Sequence, residues 1–280
     1  MNPALLFEYR RVLSIAGSDS SGGAGIQADL KTIAALGCYG MTAISALTAQ
    51  NTKGVRSIHG VPPEILRDQI DAVIDDLGAD SVKIGMLHSR ANIAVVAQAI
   101  DRHALRNVVL DPVMVATSGA VLIDYAASTA LVHDLFPRSV LVTPNLDEAA
   151  LLIGLPLADE PAMEAAARRL LGQGAPAVLL KGGHLRGEVV SDLLVTNDGL
   201  THWMRGPRIP TNNTHGTGCT LSSAIATYLA KGKSLQEACE LARLYVRSAL
   251  LAGAEVRTGA GGGPLNHGFA PQAMDTPPLT

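Results

Sequence analysis

From Asn212 to Ala226 the chain reads Asn-Asn-Thr-His-Gly-Thr-Gly-Cys-Thr-Leu-Ser-Ser-Ala-Ile-Ala, a glycine-rich turn that runs straight into an amphipathic helical pattern. Gly216 and Gly218 allow backbone angles and close approaches that a side chain would block. The first amides of a helix starting near Thr217 have no partner inside the helix, and the dipole behind them favours negative charge. Cys219 falls in the first turn, where the same field lowers a thiol's pKa. The four positions Gly216, Thr217, Gly218 and Cys219 thus combine a phosphate cradle with a proton acceptor. A second reading stays open for this segment: a tight turn with Thr217 as N-cap and Cys219 as a small buried residue. Gly-x-Gly before a helix does not decide between them.

The other chemistry-bearing side chains stand where apolar runs end. Asp111 closes Asn107-Val-Val-Leu-Asp, a natural place for a magnesium or phosphate-site carboxylate, and equally for a helix cap. Asn145 and Glu148 follow Ser139-Val-Leu-Val-Thr-Pro, three residues apart and so on one face. They are also the pattern of an N-cap and its reciprocal acid. Lys181 emerges after Pro176-Ala-Val-Leu-Leu, and Gln50 with Asn51 ends the small, apolar run from Cys38. An amide offers both a donor and an acceptor, which suits a heteroaromatic ring carrying ring nitrogens and an amino group; it also suits a turn.

These positions need a scaffold that gathers strand ends. Arg11 to Ala16 is a short apolar run, followed by the loop Gly17 to Gly25 and a helical pattern from Ile26 to Leu36, so the chain opens as strand, glycine loop, helix. That loop is neither a Walker A loop, since Gly23 stands where the lysine belongs, nor a Gly-x-Gly-x-x-Gly dinucleotide fingerprint. Helical patterns at 62–77, 91–100, 160–174 and 234–251 alternate with strands at 81–87 and 176–180, and Asn197-Asp-Gly199 marks a hairpin between two short antiparallel strands. The pieces predict an α/β fold: a doubly wound, mostly parallel sheet flanked by helices, with an antiparallel edge.

Composition narrows the function. The chain has 280 residues, 48% of them hydrophobic, enough for one compact domain, expected over 11–265 with an N-terminal extension at 1–10 and a frayed tail at 266–280. A net charge of −3 without basic runs argues against a nucleic-acid partner. Cys38, Cys219 and Cys239 are odd in number and far apart, supporting neither a disulfide framework nor a zinc site and fitting a reducing cytoplasm. The short apolar start does not make a signal peptide, and no apolar run reaches membrane-spanning length.

Seven segments in order resemble the hydroxymethylpyrimidine/phosphomethylpyrimidine kinases of thiamine biosynthesis, members of the ribokinase-like superfamily. They are Ala16 to Lys31, Ala49-Gln-Asn-Thr52, Lys83-Ile-Gly-Met-Leu87, Val109 to Met114, Thr143-Pro-Asn-x-x-Glu148, Leu180-Lys-Gly-Gly-His184 and Asn213 to Thr220. The resemblance implies an ATP-dependent kinase that phosphorylates 4-amino-5-hydroxymethyl-2-methylpyrimidine and then its monophosphate. It implies a pyrimidine pocket of Gln50, Gly17, Ala24, Asp29, Met86 and Val113. Asp111 and Glu148, with Asn145, would help hold Mg2+ largely through water, and Lys181 and the Gly216 to Cys219 amides would meet the nucleotide's phosphates. Cys219 takes the position of the aspartate base of related sugar kinases. The resemblance further implies a homodimer. Two rivals are a pyridoxal or pyridoxine kinase on the same fold and a non-catalytic pyrimidine-binding sensor.

Overall fold

The computed structural model describes residues 6–114 and 125–279. Its first strand, β1 (Arg11–Asp19), buries Val12, Leu13, Ile15 and Ala16 on both faces, as a central parallel strand must. There follow α1 (Gly25–Ala35), β2 (Tyr39–Asn51), β3 (Gly54–Gly60), α2 (Pro63–Asp76), β4 (Ser81–Ile84), α3 (Arg90–Arg102) and β5 (Val108–Leu110). Next come α4 (Tyr125–Ala130), which runs on through a π turn and a 3-10 turn to Arg138, then β6 (Leu141–Val142), α5 (Leu146–Ile153) and α6 (Glu160–Gly172). The chain closes with β7 (Ala177–Leu180), β8 (Val189–Thr196), β9 (Thr201–Pro207), α7 (Thr217–Ala230) and α8 (Leu235–Gly253).

Among the described residues nine strands form one sheet in the order β3-β2-β1-β4-β5-β6-β7-β8-β9. Strands β2, β1, β4, β5, β6 and β7 run parallel, while β3 at one edge and β8 and β9 at the other are antiparallel. The expected doubly wound α/β sheet is therefore present, with two antiparallel edges rather than one. β3 leaves no strong pattern in the sequence, because Arg56, Ser57 and His59 interrupt a half-exposed seven-residue strand. From β1 the chain goes first to β2 on one side and later to β4 on the other. That reversal opens a crevice at the carboxyl ends of the strands, where Asp111, Asn145 and Lys181 stand.

Neighbouring residues on a strand point to opposite faces, so the sheet carries two cores. Leu13, Ile15 and Leu110 join residues of α2, α3, α5 and α6 in one, and Val12 and Val109 join α1, α7 and α8 in the other. The sequence suggested an amphipathic α7, but the helix is buried on nearly every side. Small residues make this possible, and its hydroxyls are satisfied inside: Thr220 and Thr227 donate to carbonyls one turn back, while from β4 the Ser81 hydroxyl donates to Ala226 O at 2.7 Å. A buried α7 is a rigid one, and its amino end opens into the crevice.

The expected frayed tail is tied down. Gln272 N donates to Ala35 O at 2.8 Å and Asp275 N to Gly37 O at 2.7 Å, so the segment satisfies carbonyls at the end of α1. Glu8 N donates to Pro277 O and Leu279 N to Leu6 O, which joins the tail to the N-terminal extension. Residues 1–5 and Thr280 of these two expected segments lie outside the described residues. Among the described residues no helix is long and apolar enough to cross a membrane.

Candidate active site

A cavity of about 750 Å³ occupies the crevice, and its lining brings together residues from eight separated parts of the chain, from Ala16 to Leu250. At one end lies the first turn of α7. Gly216, not Thr217, is the N-cap, at φ +84°, while Thr217 Oγ1 turns back to donate to Thr214 O. No side chain caps the helix; Thr217 N donates to Thr214 O at 3.2 Å, which leaves the Gly218 and Cys219 amides of the first turn for a ligand. Gly216 is required here: a Cβ on it would lie 1.9 Å from Gly23 O, because the turn packs directly on the Gly17 to Gly25 loop.

Lys181 and Asp111 sit beneath that turn. Lys181 Nζ donates to Asp111 Oδ1 at 2.8 Å and lies 3.9 Å from Glu148 Oε2, and a Cβ on Gly218 would stand 3.2 Å from the same Nζ. Asp111 also accepts from Thr143 Oγ1 at 3.3 Å and Ser222 Oγ at 3.4 Å. Burial would lower the pKa of Lys181, but Asp111 and Glu148 outweigh it and raise the pKa above the ordinary lysine value. Asn145 and Glu148 form the capping box that was the alternative reading of their spacing: Glu148 N donates to Asn145 Oδ1, and Asn145 N to Glu148 Oε2. The cap does not exclude a site role, since both residues line the cavity. Among the described residues no three His, Cys, Asp or Glu side chains cluster as a metal cage. Two carboxylates with room for phosphate oxygens and water suit magnesium, which is seldom bound by protein ligands alone.

Glu148 is held in this position against its own preference. Burial pushes its pKa from 4.5 up to about 7, with Lys181 pulling it down and Asp111 pushing it further up. Between those two values the folded chain holds the proton more tightly than the unfolded chain, so this group subtracts stability as pH rises from about 4.5 to about 7. Glu148→Gln keeps an acceptor for Asn145 N and removes the charge. The variant should melt above the wild type at pH 8, with the gap closing as pH falls toward 4.5. A lower melting temperature at pH 8 would contradict this account.

Beside the α7 turn Gly17, Ala24, Gln50, Met86 and Val113 also line the cavity, a mostly apolar patch with one amide; Ala24 packs against Gly216 and the Gln50 amide lies 3.3 Å from the His215 ring. Gly17 packs against Met86: a Cβ there would lie 2.6 Å from Cε and would push the end of that flexible side chain aside. Asn51 is a turn residue, its Oδ1 accepting from Lys53 N at 2.9 Å.

Two comparisons of sequence and one of structure bear on what this arrangement is. The family model described as phosphomethylpyrimidine kinase matches residues 19–266. The chain belongs to the phosphomethylpyrimidine kinase family. Within it, the hydroxymethylpyrimidine/phosphomethylpyrimidine kinase of Rhizobium meliloti is 52% identical over 256 residues, covering 91% of this chain and 96% of that protein. The thiamine biosynthesis bifunctional protein ThiED of Geobacter sulfurreducens is 52% identical over 271 residues, which is 94% of this chain but 54% of that protein. The chain thus spans about half of the bifunctional relative. The pyridoxal kinase of Staphylococcus aureus in complex with AMP-PCP and pyridoxal shares the fold, with a TM-score of 0.84 at 30% identity over 97% of this chain and 100% of that chain.

For a phosphomethylpyrimidine kinase, two expectations need correcting. Asp29 does not line the cavity. It is fully buried beneath it, accepting from Lys83 Nζ at 2.8 and 3.0 Å, from Ser14 Oγ at 2.6 Å and from Ser223 Oγ at 2.6 Å. All of its acceptor capacity is spent inside the protein, and Lys83 reaches the cavity wall in its place. The Cys219 thiol does line the cavity, but its pKa is raised rather than lowered. Burial pushes it up to about 11, with Asp29 and Asp111 adding to the rise, against the pull of Lys83 and a hydrogen bond from the Gly25 amide. A helix end set among apolar walls and carboxylates does not by itself make a thiolate.

Sequence reasoning did not single out Asp19 and His215. They are 196 residues apart in the chain, yet His215 Nε2 lies 2.8 Å from Asp19 Oδ2 inside the cavity wall of this kinase. The signal was present only as two polar residues within glycine-rich segments, each flanking a loop already suspected of binding.

Proposed function

We propose that the cavity transfers the terminal phosphoryl group of ATP to the hydroxymethyl oxygen of 4-amino-5-hydroxymethyl-2-methylpyrimidine, and then a second one to the resulting monophosphate. The observation that carries this is the meeting, in one cavity, of an uncapped helix end over Lys181 and Asp111 with an apolar, amide-bearing floor at Gln50. The first suits phosphates and the second suits a small heteroaromatic ring. The 52% identity to a kinase named for both pyrimidine substrates supports the same reading.

In this mechanism the Gly216 to Cys219 turn and Lys181 hold negative charge as it shifts between oxygens. Positioning and charge stabilisation dominate phosphoryl transfer through a loose transition state. Asp111 and Glu148, with Asn145 beside them, would hold magnesium, which when bound neutralises charge on the phosphates. Cys219, in the fraction of molecules that carry it as a thiolate, takes the alcohol proton late, once the bond to the leaving oxygen is largely broken. The family resemblance also supports a cytoplasmic homodimer.

The fold shared with a pyridoxal kinase keeps one rival in view, since that ring also carries a hydroxymethyl group. A coupled ADP-release assay with the pyrimidine alcohol, its monophosphate and pyridoxal separates them, with product masses recorded. ADP release with both pyrimidines and a diphosphate product are expected. Turnover of pyridoxal alone would overturn the proposal, and ADP release that no pyrimidine stimulates would favour a binding protein over an enzyme.

A further inference from the structure

The Asp19–His215 pair reaches a third side chain. In the structure Gln50 Nε2 lies 3.3 Å from His215 Nε2, and Gln50 Oε1 lies 3.2 Å from Thr48 Oγ1. The two ends of an amide have the same shape, so the hydrogen-bond inventory decides which is which. Two independent counts run against oxygen toward Thr48. Asp19 is an ionised acceptor, its pKa held at about 2: burial opposes this, but bonds from His215, Ser21 and Ala24 outweigh it. Its Oδ2 accepts from Gly23 N at 3.1 Å and Ala24 N at 2.9 Å, and its 2.8 Å contact with His215 Nε2 needs a hydrogen on that nitrogen. A protonated ring nitrogen cannot accept from an amide NH2. Thr48, for its part, has one hydroxyl hydrogen, already given to Ser18 O at 2.9 Å, and none left for Gln50 Oε1.

Turning the amide by half a rotation removes both conflicts at once. Its oxygen then faces the His215 Nε2–H, which it shares with Asp19 Oδ2 as the longer arm of a three-centre bond, and its nitrogen donates one hydrogen to Thr48 Oγ1 and keeps the other for the cavity. We propose that Asp19 and His215 are positioning residues that lock the Gln50 amide with its oxygen toward the imidazole, so that Gln50 meets the substrate as a hydrogen-bond donor. The lock is stiff because the imidazole is buried and packs on backbone: a Cβ on Gly23 would lie 2.4 Å from its Cδ2. It follows that the pocket selects a ring presenting an unprotonated nitrogen to Gln50 and disfavours one presenting N–H there. This deepens the pyrimidine reading above and rests on it for the choice of substrates.

The test compares kcat/KM for the 4-amino pyrimidine alcohol with that for its 4-oxo analogue, whose ring nitrogen beside the carbonyl carries a hydrogen. The wild type should prefer the amino compound by on the order of a hundredfold or more, as expected where a site's polar group is left facing its like. His215→Phe keeps a ring against Gly23 and frees the amide, so the preference should narrow by about tenfold, whereas a merely structural role would lower both substrates equally. An unchanged ratio in the variant would overturn the proposal. A second measurement needs no variant: 15N chemical shifts of the imidazole in the wild-type protein at neutral pH should show hydrogen on Nε2. A bare, pyridine-like Nε2 would overturn it as well. If the wild type turns over neither pyrimidine, the functional reading fails, and the 15N shifts still decide the orientation of the amide.

Discussion

Asp29→Ala should lose about 3–5 kcal/mol of folding stability, the usual consequence of leaving one partner of a buried ion pair uncompensated. Lys83 and Asp29 are both fully buried, and the carboxylate holds the ammonium through two contacts of 2.8 and 3.0 Å. Lys83 carries a pKa raised above the ordinary lysine value: burial alone would lower it, and Asp29 with its neighbours overcomes that. Without Asp29 the lysine must shed its proton or draw water into the core, and Ser14 and Ser223 lose their acceptor. Lys83→Met combined with Asp29→Leu removes both charges and should recover most of the loss, since buried pairs replaced by apolar groups are often neutral in stability. Chemical denaturation of the two variants and the wild type measures both steps. A loss below about 1 kcal/mol in Asp29→Ala would mean that the pair is not the strut described here.

The contrast between Asp29 and Asp111 shows how far the sequence could be read. Both lie in segments that carry the family resemblance, and both were expected to meet ligand. Asp111 stands at the end of β5, in line with Asn145 and Lys181 at the ends of β6 and β7, and a strand end in a parallel sheet points into the crevice. That logic needs only the order of strands, which hydrophobic runs reveal. Asp29 lies in mid-helix, where its fate depends on which way α1 is rolled against β1, β4 and α7; Ser14 is on the preceding strand, but Lys83 and Ser223 come from elements far away in the chain. Cys219 shows the same limit in its electrostatics. Its place in the first turn of α7 was legible, but the sign of its pKa shift was set by burial and two carboxylates that only the folded chain brings near. The tail was misjudged because its anchoring groups are backbone carbonyls at the end of α1, which leave no trace in side-chain pattern.

A thiol with a pKa of about 11 makes the role of Cys219 measurable through pH. If a thiolate must take the proton of the substrate alcohol, the competent fraction grows about tenfold per unit of pH below that value. Turnover in the wild type should therefore climb between pH 7 and pH 10, and Cys219→Ala should flatten the profile. At pH 8 the same variant should lower kcat by about 10²–10³-fold, the ordinary range for losing a positioned proton acceptor. Binding of the pyrimidine, read by calorimetry, should change little, because in the proposed pose the ring rests on Gln50, Met86 and Val113 and does not need the sulfur. Alkylation of the unliganded enzyme by iodoacetamide supplies an independent reading, since the rate at Cys219 should follow the same rise, while Cys38 and Cys239 are buried away from solvent. Equal losses in turnover and in binding would reduce the thiol to a packing group, and a flat wild-type profile with a large loss in Cys219→Ala would move proton acceptance to the nucleotide's own phosphate oxygens.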